Sequence, residues 1–205
     1  MTSLGDRYEE HHREYRDEGD FVFVPERIPL LVAAVGRGHR VLDLGCRSGA
    51  LTRHFLEGNS VVGLDVDANA LEKAAALGIE PVQANVEEPL PFDDGSFDAV
   101  VAGELLEHLQ FPDALVAEIW RVLRPGGVLA GSVPNAFRVQ SRLRFLRGNA
   151  PEDDPTHLRM FSPAALRELL AGFERVELSF VGGRYTRLNA RLFARDLVFV
   201  AVKTA

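Results

Sequence analysis

Short apolar runs alternate with segments whose apolar residues recur every three or four positions along most of the chain. The runs have the length of buried strands, and the segments between them have the spacing of amphipathic helices. The predicted strands cover residues 40–44, 60–65, 79–84, 97–102, 128–133, 173–180 and 197–202. Such alternation predicts an α/β fold with a doubly wound, mostly parallel sheet and helices on both faces.

The stretch from Arg40 to Gly49 ends an apolar strand in an acidic residue and a glycine-bearing turn. Gly45 and Gly49 allow the backbone to turn sharply and to approach a ligand that a Cβ would keep away. An apolar-periodic segment follows over residues 50–56, and the N–H groups at its start would face the same ligand. We therefore expect a strand, a tight turn and a helix around a bound ligand.

Two residues of this turn discriminate between candidate ligands. A dinucleotide fingerprint needs a glycine at position 47, where the backbone touches a pyrophosphate, and this chain has Arg47. Asp43 would repel phosphates and attract a cation. Asp65 ends the second predicted strand 22 positions later, near the spacing at which a carboxylate accepts ribose hydroxyls. S-adenosylmethionine (SAM) has an ammonium, a sulfonium and a ribose but no phosphate, and it suits this turn better.

The segment Val41-Leu42-Asp43-Leu44-Gly45-Cys46-Arg47-Ser48-Gly49 resembles the glycine-rich motif of class I SAM-dependent methyltransferases, which usually have glycine at the place of Arg47. Later motifs follow in the order of this methyltransferase-domain family. They are the Phe97-Asp98 entry to the fourth strand and the turn Leu123-Arg124-Pro125-Gly126-Gly127 before the fifth. The resemblance covers residues 38–135 and implies a Rossmann-like sheet of seven strands whose last strand is antiparallel.

The resemblance also implies which residues contact SAM. They lie in the glycine turn and after the second, third and fourth strands: Asp43, Gly45, Cys46, Arg47, Gly49, Asp65, Val66, Asn85, Val86 and Gly103. The family often has an acid at position 85, which accepts a hydrogen bond from the adenine amino group. Asn85 can still accept through its amide oxygen. The implied activity is methyl transfer to a small-molecule acceptor, with a hydroxyl oxygen as the expected acceptor atom.

A second group of polar residues follows the fourth predicted strand. Glu104, Glu107 and His108 would share one face of a helical turn, and such donors suit Mg²⁺ or Mn²⁺. The same Glu-x-x-Glu-His pattern occurs in ubiquinone-pathway O-methyltransferases and small-RNA 2′-O-methyltransferases, where it resembles a metal site beside the acceptor hydroxyl. In the RNA enzymes a further histidine follows the fifth strand, and His157 stands in a similar setting here.

Two alternatives to a metal site remain open for these residues. His108 or His157 could serve as a metal-free general base. Alternatively, His108 only caps or packs while the acids are solvated, as in metal-free relatives with the same sequence after strand four.

The resemblance thins after Pro134, and residues 136–205 are expected to hold the acceptor side and the closing strands. Arginines occupy positions 138, 142, 144 and 147, and again 184, 187, 191 and 195. The second set has helical spacing, which predicts an amphipathic helix whose basic face is solvated or binds an anionic acceptor or partner. Val133-Pro134-Asn135 before an arginine-rich segment is similar to the MetW family. The alternative function is therefore a SAM-binding partner or regulator of a biosynthetic enzyme, with little turnover of its own.

Composition sets the remaining expectations. A length of 205 residues predicts one domain, with N-terminal helices over 1–36, a SAM-binding core over 38–135 and the acceptor side after it. The leading helix is expected over residues 5–19. A net charge of −7 argues against general affinity for nucleic acid, so a small acceptor is preferred over RNA. One cysteine, no apolar N-terminal signal and no run that could span a membrane predict a cytoplasmic protein.

Overall fold

The computed structural model describes residues 24–151, 154 and 156–205. Within them, seven strands form one sheet in the order β3-β2-β1-β4-β5-β7-β6. The strands are β1 Arg40–Leu44, β2 Ser60–Asp65, β3 Glu80–Gln83, β4 Phe97–Gly103, β5 Leu123–Pro134, β6 Arg175–Val181 and β7 Asp196–Val202. β7 pairs antiparallel with β5 and β6, and the other pairs are parallel. The predicted α/β sheet with an antiparallel last strand is confirmed.

Helices cover both faces of this sheet. They are α1 Ile28–Val35, α2 Ala68–Ala76, α3 Pro112–Val122, α4 Val139–Leu146, α5 Pro163–Leu169 and α6 Ala190–Phe193. Strand side chains alternate between the two faces. Leu42 and Val100 accordingly belong to the large buried cluster on one face, and Val41 and Val101 to a smaller cluster on the other. Because both faces are covered, the central strands are apolar throughout rather than at every second residue.

The segment after the glycine turn forms less helix than its pattern predicts. Only a 3₁₀ turn over Thr52–Phe55 is present, so the prediction of a full helix is wrong. The Asn59 side-chain amide donates to the Phe55 carbonyl at 2.9 Å and ends this turn. Gly58, at φ 81°, reverses the chain immediately before β2.

The predicted amphipathic helix over the arginines of 184–195 is also wrong. Gly182 and Gly183 have φ values of 70° and 96°, and the helical part is confined to the four residues of α6. Asn189 precedes α6 in an extended conformation, at φ −158°, and its side chain accepts from the Leu192 N–H. Asparagine favours this capping role over an interior helical position, so the arginines do not share one helical face.

The remaining differences concern element boundaries. The segment predicted as a turn before the fifth strand lies within β5, where the register against β4 shifts between Phe97 and Ala99. The helix predicted from Pro25 is present as a 3₁₀ turn followed by α1. The leading helix over 5–19 falls outside the described residues. In the part of the chain that the structure describes, no helix is long and apolar enough to cross a bilayer.

Gly131 provides a test of how tightly β4, β5 and β7 pack. A Cβ on this residue would overlap the Ala102 carbonyl oxygen and the Phe199 ring. Because the backbone oxygen cannot move aside cheaply, Gly131→Ala should destabilise the fold by about 3 kcal/mol. Urea unfolding measures the change. Gly172→Ala is the control, since a Cβ there meets nothing within 4 Å, and a Gly131→Ala variant as stable as this control would contradict the packing described.

Candidate functional site

The glycine turn lies at the carboxyl ends of β1 and β2. Gly45 and Gly49 have φ values of 69° and 84°, a region that residues with a Cβ rarely adopt. The N–H groups of Gly45 and Cys46 donate to the Leu64 carbonyl at 2.8 and 3.2 Å, which fixes the turn against β2. A Cβ on Gly49 would come within 2.6 Å of the Ile79 side chain. Both glycines are therefore required by the geometry of this turn.

Arg47 also has a left-handed backbone, at φ 49°. This conformation costs a residue with a Cβ about 1 kcal/mol, which is a physical reason for the family's usual glycine at this position. The conformation directs the Arg47 N–H to the Asp65 carboxylate at 2.9 Å. The arginine therefore preserves the turn and places one donor on the acid of β2.

Asp65 ends β2 with only 5% of its surface exposed. Burial raises the pKa of this carboxyl, while hydrogen bonds from the N–H groups of Asp67 and Arg47 oppose that shift. Its two oxygens accept from these N–H groups at 3.0 and 2.9 Å, respectively. A carboxylate has about four acceptor positions, so each oxygen retains capacity for a ribose hydroxyl.

Asp43, the penultimate residue of β1, is still more buried, at 2% exposure. The pKa of its carboxyl is raised to about 7, chiefly by burial. A hydrogen bond from Thr52 opposes this rise, and the charge of the nearby Asp65 adds to it. The Thr52 hydroxyl donates to Asp43 at 2.5 Å. A cation near this site would favour the ionised form. Sequence reasoning did not single out Thr52, because its role depends on the short 3₁₀ turn.

Asn85 and Gly103 complete the predicted cofactor side. The Asn85 amide oxygen accepts from the Glu87 N–H at 3.0 Å, which orients the side chain just beyond β3. Val86 packs against the large core cluster, and the carbonyl of Val66 accepts from the Gln83 side chain at 3.1 Å. A Cβ on Gly103 would come within 2.7 Å of the Leu51 side chain, so glycine allows the turn segment to approach the end of β4.

Cys46 is buried within the turn at 6% exposure. Burial raises the pKa of its thiol, and the charges of Asp43 and Asp65 raise it further. The thiol therefore stays protonated at neutral pH, and only the thiolate is a good nucleophile. A Cβ on Gly63 would come within 2.7 Å of the Cys46 sulfur, so this residue acts as a compact filler between the turn and β2.

Glu107, His108 and His157 meet beyond the end of β4. Their candidate ligand atoms all lie within 4.8 Å of one another, and the two imidazole rings stand 4.8 Å apart in an edge-to-face arrangement. Glu107 and His108 are buried. Of the four residues predicted as metal ligands, the structure brings these three together.

Main-chain hydrogen bonds hold this cluster in place. The N–H groups of Leu158 and Arg159 donate to the Glu107 carbonyl at 2.9 and 3.1 Å. The Thr156 carbonyl oxygen lies 3.2 Å from Nδ1 of His108. The segment around His157 is thus fastened to the 3₁₀ turn Leu106–His108, even though some fifty residues separate the two in sequence.

Asp154 adds a fourth functional group that sequence reasoning did not assign to the site. Its carboxylate lies 3.7 Å from Nε2 of His157 and accepts from the Thr156 N–H at 2.9 Å. The sequence does offer a signal for this contact, because Asp154 stands three residues before His157, a spacing at which two side chains can meet.

Glu104 is directed away from this cluster. Its φ of 54° is left-handed, so it does not continue the 3₁₀ turn as the predicted helical face requires. Its Oε1 pairs with the Arg27 guanidinium at 2.9 Å and accepts from the Ser132 hydroxyl at 2.7 Å. Arg27 also pairs with Asp196 at 3.2 Å. The structure therefore places Glu104 in a separate, largely buried ionic group.

Comparisons with known proteins agree with this geometry. A family model described as a methyltransferase domain matches residues 42–131. A probable S-adenosylmethionine-dependent methyltransferase of Mycolicibacterium smegmatis is 35% identical over 161 residues, 75% of this chain and 60% of that protein. A ubiquinone biosynthesis O-methyltransferase of Psychrobacter cryohalolentis is 30% identical over 183 residues, 80% of this chain and 69% of that protein. The chain belongs to the class I SAM-dependent methyltransferases.

A solved structure shares the fold of this methyltransferase along nearly its whole length. It is a methyltransferase in complex with the Trm112 methyltransferase activator of Haloferax volcanii. The TM-score is 0.74 at 22% identity, with 99% of this chain and 100% of that one covered. The likeness establishes the fold.

The pKa of Asp43 leads to a pH prediction for cofactor binding by the methyltransferase. A cationic ligand favours the carboxylate, so binding below about pH 7 must release the proton that burial retains. SAM affinity should therefore rise by up to about tenfold per pH unit towards pH 7 and then level off. Asp43→Asn should abolish this slope.

Calorimetric titration between pH 5.5 and 8 measures the effect. Asp67→Asn is the matched control, because Asp67 caps α2 beside the same turn and asparagine caps equally well. This control should keep the wild-type slope. An unchanged slope in Asp43→Asn would show that another group accounts for the pH dependence.

Proposed function

We propose that this methyltransferase transfers the methyl group of SAM to a hydroxyl oxygen of a small molecule. The observation that carries the proposal is the position of the Glu107–His108–His157 cluster. It follows β4 directly, at the same edge of the sheet where the glycine turn and Asp65 end β1 and β2. An acceptor bound beside the two histidines would thus lie next to the cofactor.

The cofactor side fits SAM in its chemistry. Asp65 would hold the ribose hydroxyls, Asn85 and Val86 the adenine, and Asp43 with the glycine turn the cationic end. Gly103 would allow the cofactor to lie against the end of β4. SAM supplies an electrophilic methyl group on a sulfonium, so the protein needs chiefly to orient the acceptor and to accept its proton.

In this proposal, His108 accepts that proton at Nε2. Nδ1 of His108 lies 3.2 Å from the Thr156 carbonyl oxygen, which only accepts hydrogen bonds, and 3.0 Å from the Thr156 hydroxyl, which donates its proton to Asp154. A proton on Nδ1 satisfies both contacts, and this is the tautomer that the proposal uses. The lone pair of the neutral imidazole is then on Nε2, which lies 4.0 Å from the Glu107 carboxylate. Nε2 can therefore act either as a general base or as a metal ligand.

The same cluster is a candidate site for a divalent metal ion. Ligand atoms within 4.8 Å of one another need to close in slightly to share one ion, whose bonds are about 2.1 Å long. With Glu104 directed to Arg27, the donors are two imidazoles and one carboxylate, with Asp154 next to His157. This set suits Mn²⁺ or Zn²⁺ better than Mg²⁺, which prefers oxygen donors. A bound ion would lower the pKa of the acceptor hydroxyl.

Two observations favour a small acceptor. The chain has a net charge of −7, which opposes general binding of nucleic acid. Relatives include ubiquinone biosynthesis O-methyltransferases and a trans-aconitate 2-methyltransferase of Deinococcus radiodurans, 32% identical over 163 residues. The chain spans 60% of the mycobacterial relative and 62% of the Deinococcus one, so the acceptor is proposed from the chemistry of the site.

A second candidate is a SAM-binding protein that acts with a partner. The fold it shares with a methyltransferase solved in complex with an activator favours this candidate. The predicted similarity to the MetW family points in the same direction. On this alternative, the chain binds SAM but turns over little acceptor by itself.

Turnover of labelled SAM with fractionated cell metabolites tests the proposal. His108→Ala and Glu107→Gln should lower kcat by about 10² to 10⁴ while SAM affinity stays at the wild-type value, because neither residue belongs to the cofactor side. Glu80→Gln, in the exposed edge strand β3, is the matched carboxylate control. The assay is repeated after chelation and again with Mg²⁺, Mn²⁺ or Zn²⁺ restored.

Each outcome has a distinct meaning. Activity that is lost in chelator and restored by one ion supports the metal site, and full activity in chelator excludes it. If both variants turn over like wild type, the cluster is not the acceptor site. If SAM binds but no fraction is methylated, the second candidate is favoured.

A further inference from the structure

Large apolar side chains project from two segments near the antiparallel end of the sheet. We call residues 137–147 and 184–191 the basic–apolar surface. Its exposed apolar side chains, with their exposed fractions, are Phe137 (41%), Leu143 (44%), Phe145 (68%), Leu146 (79%), Tyr185 (47%) and Leu188 (77%). In α4 the buried residue is Ser141, so this helix rests on the protein through its polar side and presents its apolar residues outward.

The two segments form one continuous surface. α4 and α6 lie in contact. Asn135, between β5 and α4, donates from its side-chain amide to the carbonyls of Arg191 and Ala194 at 3.2 and 3.0 Å. Its backbone N–H donates to the Arg195 carbonyl at 2.7 Å. Because Asn135 is buried, these bonds fasten the α6 segment to the base of α4.

The charge of this surface is opposite to that of the whole chain. Residues 137–147 contain four arginines and residues 184–191 contain three, and neither segment contains an acidic residue. Seven of the 23 basic residues are thus concentrated in these two segments of a chain whose net charge is −7. Arg142, Arg147, Arg184, Arg187 and Arg191 are exposed.

We infer that the basic–apolar surface docks this protein on anionic lipid bilayers. Arginines interleaved with exposed leucine and phenylalanine are the composition of helices that lie in the membrane interface, with apolar side chains among the acyl chains and cations at the headgroups. Burial of the apolar side chains and attraction of the arginines to the headgroups add to each other. Each cation near an anionic leaflet strengthens binding about fivefold. The attachment is peripheral and reversible.

The positive charge of the basic–apolar surface also argues against a second copy of the chain as its binding partner. A second copy of the chain would place arginines against arginines if the two surfaces met about a twofold axis. Like charges in contact oppose such a dimer. An anionic bilayer instead satisfies the arginines and the apolar side chains at once.

Sedimentation with lipid vesicles tests the inference. The full chain is mixed with vesicles of phosphatidylcholine, or of equal parts phosphatidylcholine and phosphatidylglycerol, at low salt and at about 1 M salt, where the Debye length is ~3 Å. Wild type should bind the anionic vesicles at least about tenfold more tightly than the neutral ones, and salt should weaken that binding.

Two paired variants separate the contributions. Phe145→Ser with Leu146→Ser, and Arg147→Glu with Arg187→Glu, should each weaken binding at least about tenfold. The replaced side chains are exposed, so the thermal unfolding midpoint should not change. Matched controls are Leu77→Ser at the end of α2 and Arg37→Glu before β1, which are exposed elsewhere and should bind like wild type.

Three results would overturn the inference. They are no binding to anionic vesicles at low salt, equal binding by wild type and the Phe145/Leu146 variant, and wild-type self-association that this variant abolishes in sedimentation velocity. The last result would assign the surface to a protein interface.

Discussion

The burial of two carboxylates on neighbouring strands is the constraint on which the candidate cofactor site depends. Asp43 is the penultimate residue of β1 and Asp65 ends the adjacent parallel strand β2, and water is largely excluded from both side chains. A buried carboxylate is costly unless hydrogen bonds or a cation compensate it. The N–H groups of Arg47 and Asp67 donate hydrogen bonds to Asp65, and the Thr52 hydroxyl donates to Asp43. The local backbone follows from this requirement: a left-handed residue at 47 and a 3₁₀ turn that brings Thr52 inward.

The candidate acceptor site depends on a different contact. The segment around His157 reaches the end of β4 through hydrogen bonds to the Glu107 carbonyl, and this contact assembles the imidazoles and acids from distant parts of the sequence. Glu104, only three residues earlier, belongs to another group because Arg27 and Ser132 hold its carboxylate. The end of β4 therefore divides its acids between a structural ionic group and the candidate acceptor site.

Much of the fold followed from the sequence because parallel strands buried on both faces are continuous apolar runs with clear ends. The glycine turn and both of its acids were predictable for the same reason. The features that the sequence did not predict depend on tertiary contacts. Thr52 and the direction of Glu104 require partners that no local pattern reveals. Asp154 joins the site only because the segment around His157 is bound to the Glu107 carbonyl. The arginine spacing of 184–195 matched a helix, but Gly182, Gly183 and Asn189 divert the backbone.

The central claim is that the turn over residues 43–49, with Asp65, binds SAM. Calorimetric titration of wild type and Asp65→Ala with SAM tests it most directly, with circular dichroism to establish that the variant is folded. The account predicts measurable binding by wild type and a loss of about 1.5–3 kcal/mol in the variant, because charge-assisted hydrogen bonds to the ribose disappear. No heat from wild type at millimolar SAM, or equal affinity in the two proteins, would contradict it.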